Sequence, residues 1–405
     1  MLVLGGGFAG LSTARAIARS AQGGMHLGLR VVDRAEAMTF WPMVPEVIPG
    51  DIQAAHVMRP LREELVDLGA EFTHAEVTGG DLHKRVIETS IGAICYDRLV
   101  IALGWQTAFF GTPGASDHCL TLHSLADAVT IRNRVIGQFE AAAAGRPHDL
   151  SFVVVGGGST GVELASAVAD LVDILMPQYP TVADYDLHIV LTQARDDVLP
   201  HMEKPLRQAA ASRLRDDRID VRTEAKVSAV DARGVTLESG SRIAASTVMW
   251  AAGVEASSVA RQLRGAQLDG GGRIQVDDCL RVRGVAATYA LGDISAAHTD
   301  GRHVAPTAQA AVQESGAVAR NLLAELEGVE PTPFEYRQLG RLVELGGRFA
   351  VSEVLGTQIS GWAGHVLWRA VYLYKLGDWR DRLHVAADWL IGLVERPSVP
   401  RLRIE

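Results

Sequence analysis

Gly5-Gly6-Gly7-Phe8-Ala9-Gly10 follows the aliphatic run Met1 to Leu4, and Gly156-Gly157-Gly158-Ser159-Thr160-Gly161 follows Phe152 to Val155. Each loop precedes an Ala-rich stretch with helical periodicity. A strand, a tight turn and a helix in succession form the setting in which G-x-G-x-x-G binds a dinucleotide. The first glycine makes the turn, the second lets the backbone approach a pyrophosphate, and the third lets the helix pack on the strand. The helix N-terminus adds free N–H groups and the positive end of its dipole. Two such loops in one chain imply two dinucleotides, with electrons passing between them.

The 405 residues are enough for two or three domains, and 48% hydrophobic with 21% charged residues is an ordinary globular composition. A formal charge of -9 argues against a nucleic-acid partner, which needs a basic face. Cys95, Cys119 and Cys279 are too far apart for a C-x-x-C pair, so reduced thiols are expected and neither a local redox disulfide nor a metal centre is. No run of about 18 uncharged apolar residues is present to span a membrane. The first glycine turn arrives after four residues, so no secretory signal is expected.

Leu11, Ala14, Ile17 and Ala18 recur at helical spacing, and the next strand runs from Leu27 to Val32 and ends in Asp33. A carboxylate about 20 residues past the loop accepts hydrogen bonds from a ribose diol. After the second loop, Glu163 falls in the first helical turn, where the dipole favours an acid. The strand Leu187 to Leu191 lacks an acid at its end, and Gln193 and Arg195 follow instead. An amide removes repulsion toward a 2′-phosphate, and an arginine can pair with one, so NADPH is expected as a donor beside NADH. Which of the two is preferred stays open.

Tyr96 to Gly104, with Ala102 in its turn, and Thr288 to Asp293 are strands ending in small-residue turns, and Thr247 to Val254 mirrors the first of them. These segments resemble the further signatures of the two-dinucleotide-binding flavoproteins. The resemblance implies FAD at the first loop, through Gly5, Gly7, Phe8, Ala9 and Gly10, then Asp33 and Arg34. Val77, Ala102, Gly104, Asp293, Ala308 and Gln309 complete that set. It implies NAD(P)H at the second loop, through Gly156, Gly158, Ser159, Thr160 and Gly161, then Gln193, Arg195, Ala252 and Gly253. Glu163 would lie near the nicotinamide and flavin.

Ala308-Gln309-Ala310-Ala311-Val312-Gln313 reads as a helix after Pro306, with Gln309 and Gln313 on one face. Its spacing is similar to the Ala-Gln-x-Ala-x-Gln signature of type II NADH dehydrogenases, the alternative NAD(P)H:quinone oxidoreductases. Phe40-Trp41-Pro42-Met43-Val44 and Gly346-Gly347-Arg348-Phe349-Ala350 also fit that family, although Gly347 stands where the family carries a basic residue. The resemblance covers nearly the whole chain. It implies that Glu163, Gln309 and Gln313 serve catalysis and that a quinone is the acceptor.

Residues 358 to 396 hold Trp362, Trp368, Trp379 and Trp389, with Tyr372, Tyr374 and interleaved basic residues. That composition suits helices lying in the headgroup plane of a membrane, and equally a homodimer interface. The expected architecture is α/β: two doubly wound Rossmann-like dinucleotide-binding domains plus a C-terminal membrane-associating helical module. The boundaries are 1–117 with 266–330 for FAD, 118–265 for NAD(P)H, and 331–405 for the module. The chain is expected peripherally on the cytoplasmic face of the cell membrane. The alternative is a soluble flavin-dependent oxidase or reductase passing electrons to oxygen or a small redox protein.

Overall fold

The computed structural model describes residues 1–21, 28–145, 150–182, 187–394 and 399–402. The chain divides into two compact units, 1–39 with 58–106 and 254–338, and 40–57 with 107–253 and 339–405.

In the first unit Leu2–Leu4 is the middle strand of a five-stranded parallel sheet. Its neighbours are Leu99–Ile101 and Arg30–Asp33, with Thr288–Ala290 and Glu71–His74 at the edges. Leu2 to Leu4 and Leu99 to Ile101 are buried throughout, as strands covered on both faces must be. The strand expected from Leu27 begins at Arg30, and Leu27 itself lies outside the described residues. The helices Phe8–Ala21 and Ala308–Leu326 pack together through small side chains, and the Ser315 hydroxyl donates to the Ala9 carbonyl at 2.8 Å. A three-stranded antiparallel meander, 77–95, completes the unit beside Leu263–Arg264.

The second unit repeats the plan. Leu150–Val155 is the middle of a parallel sheet, flanked by Thr247–Trp250 and Leu187–Thr192, with Cys119–Thr121 and Ile219–Arg222 outside. The helix Ser159–Leu175 follows its loop, and a second antiparallel meander spans 227–244. The helix Leu125–Ala143 opens on a reciprocal cap between Ser124 and Asp127.

Residues 40–57 do not belong with the first loop, because Val44 and Ile48 are core residues of the second unit, with Ile131, Val135 and Val168. The C-terminal segment falls in the same unit. Its antiparallel strands Gly340–Glu344, Ala350–Val354 and Thr357–Gly361 place Val343, Leu345 and Val351 in that same core. Two helices follow, Trp362–Lys375 and Trp379–Val394. Among the described residues no helix is long and apolar enough to cross a membrane.

Candidate dinucleotide sites and the carboxyl cluster

The two glycine loops are geometric copies. Gly5 and Gly156 take φ of 97° and 113°, and their N–H groups donate to Val32 and Thr192 carbonyls, both at 2.8 Å. A Cβ on Gly10 would stand 1.7 Å from the Gly5 carbonyl oxygen, and one on Gly161 would stand 1.7 Å from that of Gly156. A Cβ on Gly7 or Gly158 would meet nothing within 4 Å. Each loop therefore admits no side chain behind it and leaves open space in front, which is what a pyrophosphate on a helix N-terminus requires.

The acid and the amide that follow the loops sit behind them with different hydrogen bonds. Asp33 accepts from Gly6 N–H at 2.5 Å and from Ala35 N–H at 2.7 Å, so it closes the loop from behind. Gln193 packs its Cβ on Gly157, accepts from Ala194 N–H at 2.9 Å and donates to the Asp197 carbonyl at 3.2 Å. Its amide is thus turned into the local bend, while Arg195, two residues on, is exposed. Arg34 lies 3.9 Å from Glu76 at the surface, Val77 is buried, and Ser159 and Thr160 are exposed on the second loop.

Asp293 lies in the single turn Gly292–Ile294, lining a small cleft with Arg273, Ser295 and Glu314. Burial pushes its carboxyl up to about 6, against the pull of Arg273. Glu314, absent from the sequence reading, accepts from Gly292 N–H and so holds the turn. Burial raises it to about 7, Gly292 opposes the shift and Asp293 adds to it. The only signal for it was an acid on the buried face of an Ala-rich helix.

The helix of the glutamine pair begins at Ala308, with Thr307 as its cap. The side-chain amides of Gln309 and Gln313 donate to the Arg337 carbonyl at 3.0 and 2.9 Å, and Arg337 N–H donates back to Gln313 at 3.0 Å. Both side chains therefore clamp segment 334–338. Two neighbouring glutamines cannot reveal from sequence which distant backbone will take them.

In the second unit Ala252 is exposed and Gly253 lies against the ring of Phe110, which is 72% exposed at a φ of 51°. Sequence reading missed Phe110, because nothing local marks an aromatic held over a glycine more than a hundred residues away. Glu163 accepts from Glu344 N–H, and its carboxyl is pushed up to about 8 by burial and by the Glu344 charge. Tyr372 lies close enough for the Glu163 charge to add to the effect of burial in raising its hydroxyl.

An acid whose pKa rises from 4.5 unfolded to about 8 folded costs stability progressively as pH climbs between those values. Glu163→Gln is therefore expected to raise Tm by several degrees at pH 8 and by little at pH 5. Equal gains at the two pH values would show that the carboxyl is not held neutral.

The tryptophan-rich end is split. Trp362 and Trp379 are 69% and 63% exposed, as interfacial helices require, but Trp368 and Trp389 are buried. Trp389 donates to Glu46 at 2.8 Å, and Gly364 lets its helix approach the Ala350 carbonyl. Half of the expected membrane-facing tryptophans are thus core residues.

All three cysteines are free thiols; burial raises Cys119 to about 12 and, with Asp277, also raises Cys279. Among the described residues no cluster could hold a metal ion.

Duplicated loops, each on its own parallel sheet, define a two-dinucleotide oxidoreductase architecture. The pyridine nucleotide-disulphide oxidoreductase family pattern matches residues 1–315, and the chain belongs to that family. It is 31% identical over 397 residues to demethylphylloquinone reductase NdbB of Synechocystis, covering 96% of this chain and 95% of that one. It is 28% identical over 415 residues to type II NADH:quinone oxidoreductase Ndh of Mycobacterium tuberculosis, covering 96% and 87%. The solved structure of NDH2 from Plasmodium falciparum in complex with NADH matches with a TM-score of 0.89 at 18% identity, covering 99% of both chains. These relatives agree with the resemblance read from the motifs.

Proposed function

We propose that this chain is an FAD-dependent NAD(P)H:quinone oxidoreductase that works peripherally on a membrane, at its cytoplasmic face. The observation that carries the reading is the pair of matching open cradles, one braced by Asp33 and the other with Gln193 packed behind Gly157. Relatives named as quinone reductases along almost the whole chain supply the acceptor class.

FAD, when bound, accepts a hydride from a nicotinamide and passes two electrons to a quinone. The first unit would hold it through backbone N–H groups at Gly7 to Gly10, with Asp33 bracing the loop and Asp293 available to its ribityl chain from the turn that Glu314 holds at Gly292. The second unit binds NAD(P)H at Gly156 to Gly161 and releases the oxidised nucleotide. Glu163 would face the nicotinamide, and its buried carboxyl keeps a proton near neutral pH. Gln309 and Gln313 act by positioning segment 334–338 next to the helix start, whose dipole favours negative charge on the reduced cofactor. The exposed apolar side chains of the last two helices rest on lipid, where the quinone resides.

The test is the purified protein's spectrum and turnover. Bound flavin and NAD(P)H oxidation coupled to a short-chain quinone are expected. A colourless protein, or oxidation coupled only to oxygen, would refute the reading. Gln193→Glu places a carboxylate at the turn that reads the ribose, and the kcat/KM ratio of NADH to NADPH is expected to rise about tenfold. An unchanged ratio would show that this position does not read the 2′-group.

A further inference from the structure

The turn at Phe110 carries a large side chain where the backbone disfavours one. The Thr112 N–H donates to the Phe109 carbonyl at 2.9 Å, and the two residues between them, Phe110 and Gly111, take φ of 51° and 67°. Positive φ at both central positions is the type I′ pattern, which glycine, asparagine and aspartate fill readily. A phenylalanine there is strained, and strain of this kind persists only where the surroundings hold it.

The core does not call for the Phe110 ring. Its neighbour Phe109 packs on the cluster that holds Val153, Val190 and Trp250, with its ring 5.8 Å from that of Trp250. Phe110 is largely exposed and lies over Gly253, where a Cβ would stand 2.6 Å from the ring Cζ and 2.9 Å from Cε2. Gly253 does not adopt a positive φ, so its backbone would accept a side chain. The ring takes the space that side chain would need.

This contact stands at the carboxyl ends of the second unit's parallel strands, where open α/β sheets take their ligands. The Ala108 N–H donates to the Gly253 carbonyl at 3.1 Å, and Trp250 Nε1 donates to the Ala108 carbonyl at 2.9 Å, so the turn is tied to the end of strand Thr247–Trp250. That strand pairs with Leu150–Val155, which feeds the glycine loop, and a Cβ on Gly156 would stand 2.6 Å from the Ala252 Cα. On the other flank of Leu150–Val155 runs Leu187–Thr192, which leads to Gln193. A dinucleotide laid across these strand ends has its adenosine ribose on the Gln193 flank and its pyrophosphate at the loop. Its nicotinamide half then falls on the flank of Gly253 and Phe110.

On the oxidoreductase reading, we propose that Phe110 positions the nicotinamide half of NAD(P)H, its ring stacking on the nicotinamide riboside while the pyrophosphate sits on the second loop. A flat ring offers a broad contact face at little entropic cost, because only two torsions must be fixed. Here the left-handed turn and the Gly253 contact fix them before the nucleotide arrives. Phe110 makes and breaks no bond. Its contribution is to the binding and orientation of the ring that gives up the hydride.

The test uses the full-length, flavin-loaded protein with the Phe110→Asn and Phe110→Tyr substitutions. Asparagine accepts the left-handed turn and has no aromatic ring, so Tm is expected to equal that of wild type or to rise slightly. Calorimetric titration compares the oxidised nucleotide, NAD⁺ or NADP⁺, with the same nucleotide lacking nicotinamide, ADP-ribose or its 2′-phosphate. Phe110→Asn is expected to weaken binding of the whole nucleotide about tenfold and that of the fragment by about twofold at most. Phe110→Tyr keeps the ring and is expected to bind both as wild type does. Equal losses for nucleotide and fragment would show a merely structural role and overturn the proposal, as would no loss for either. Tighter binding of the whole nucleotide by Phe110→Asn would show that the ring obstructs the site, which overturns it too. A wild-type protein that binds neither the nucleotide nor the fragment would refute the oxidoreductase reading itself, and the proposal with it.

Discussion

Replacing Leu390 and Ile391 together by glutamine is expected to lower partition of the full-length protein onto anionic vesicles about 100-fold. The two side chains are 64% and 58% exposed on the last helix, near Leu383 and Val394, which are also exposed. Inserting a Leu or Ile into an apolar phase is worth about 1.5–3 kcal/mol, so two residues contribute about 3 kcal/mol or more. Arg380 and Arg382 stand on the same helix and lie against the rings of Trp379 and Tyr374, which places cations beside aromatics as a headgroup region favours. Vesicle sedimentation reads the effect, and quinone turnover with a short-chain acceptor should be unchanged. If vesicle binding persists and sedimentation shows instead that a dimer has been lost, the exposed face joins two copies of the chain. A truncation after residue 357 is a poorer test, because it removes Trp368, Trp389 and Val399 from the second unit's interior.

Gly10→Ala and Gly161→Ala are expected to separate the two nucleotide sites. In each case the new methyl would stand 1.7 Å from a carbonyl oxygen of the same loop, a clash that only backbone movement can relieve. Overpacking against backbone costs about 3 kcal/mol, which corresponds to a loss of binding of about 100-fold at the site concerned. Gly10→Ala should purify without flavin. Gly161→Ala should remain yellow and be reduced by dithionite, yet bind NAD(P)H about 100-fold more weakly. Both proteins losing flavin to the same extent would mean that the loops do not serve two different nucleotides.

The sequence shows why the loops were readable and the remainder of the site was not. Gly5 to Gly10 and Gly156 to Gly161 announce themselves because turn, phosphate approach and helix packing all act within six residues. Asp33 and Gln193 follow at fixed distance, on strand ends set by the same local pattern. The glutamine pair was visible as a helical spacing, but its partner is the backbone of Arg337, brought there by tertiary folding. Composition marked the C-terminal tryptophans as one group. Only packing separates exposed Trp362 and Trp379 from Trp368 and Trp389, because both kinds recur on the same two helices. The acids Glu46, Asp51, Asp170, Asp173, Glu344 and Asp388 line one cavity but come from four separate segments, and no window of sequence shows them together.

The shared interior of the second unit has a consequence for how variants are diagnosed. Val343, Leu345, Val351 and Val399 are continuous with the core around Val154, Val168 and Leu191, so the C-terminal end and the nucleotide fold are expected to melt as one cooperative block. Where the exposed face is the anchor, a lesion inside the C-terminal helices, at Trp368 for example, would first appear as weakened nucleotide affinity in a protein still found in the membrane fraction. Substitutions at the outer surface would show the opposite profile. Fractionation and nucleotide titration must therefore be read as a pair before any tail mutation is called an anchoring defect.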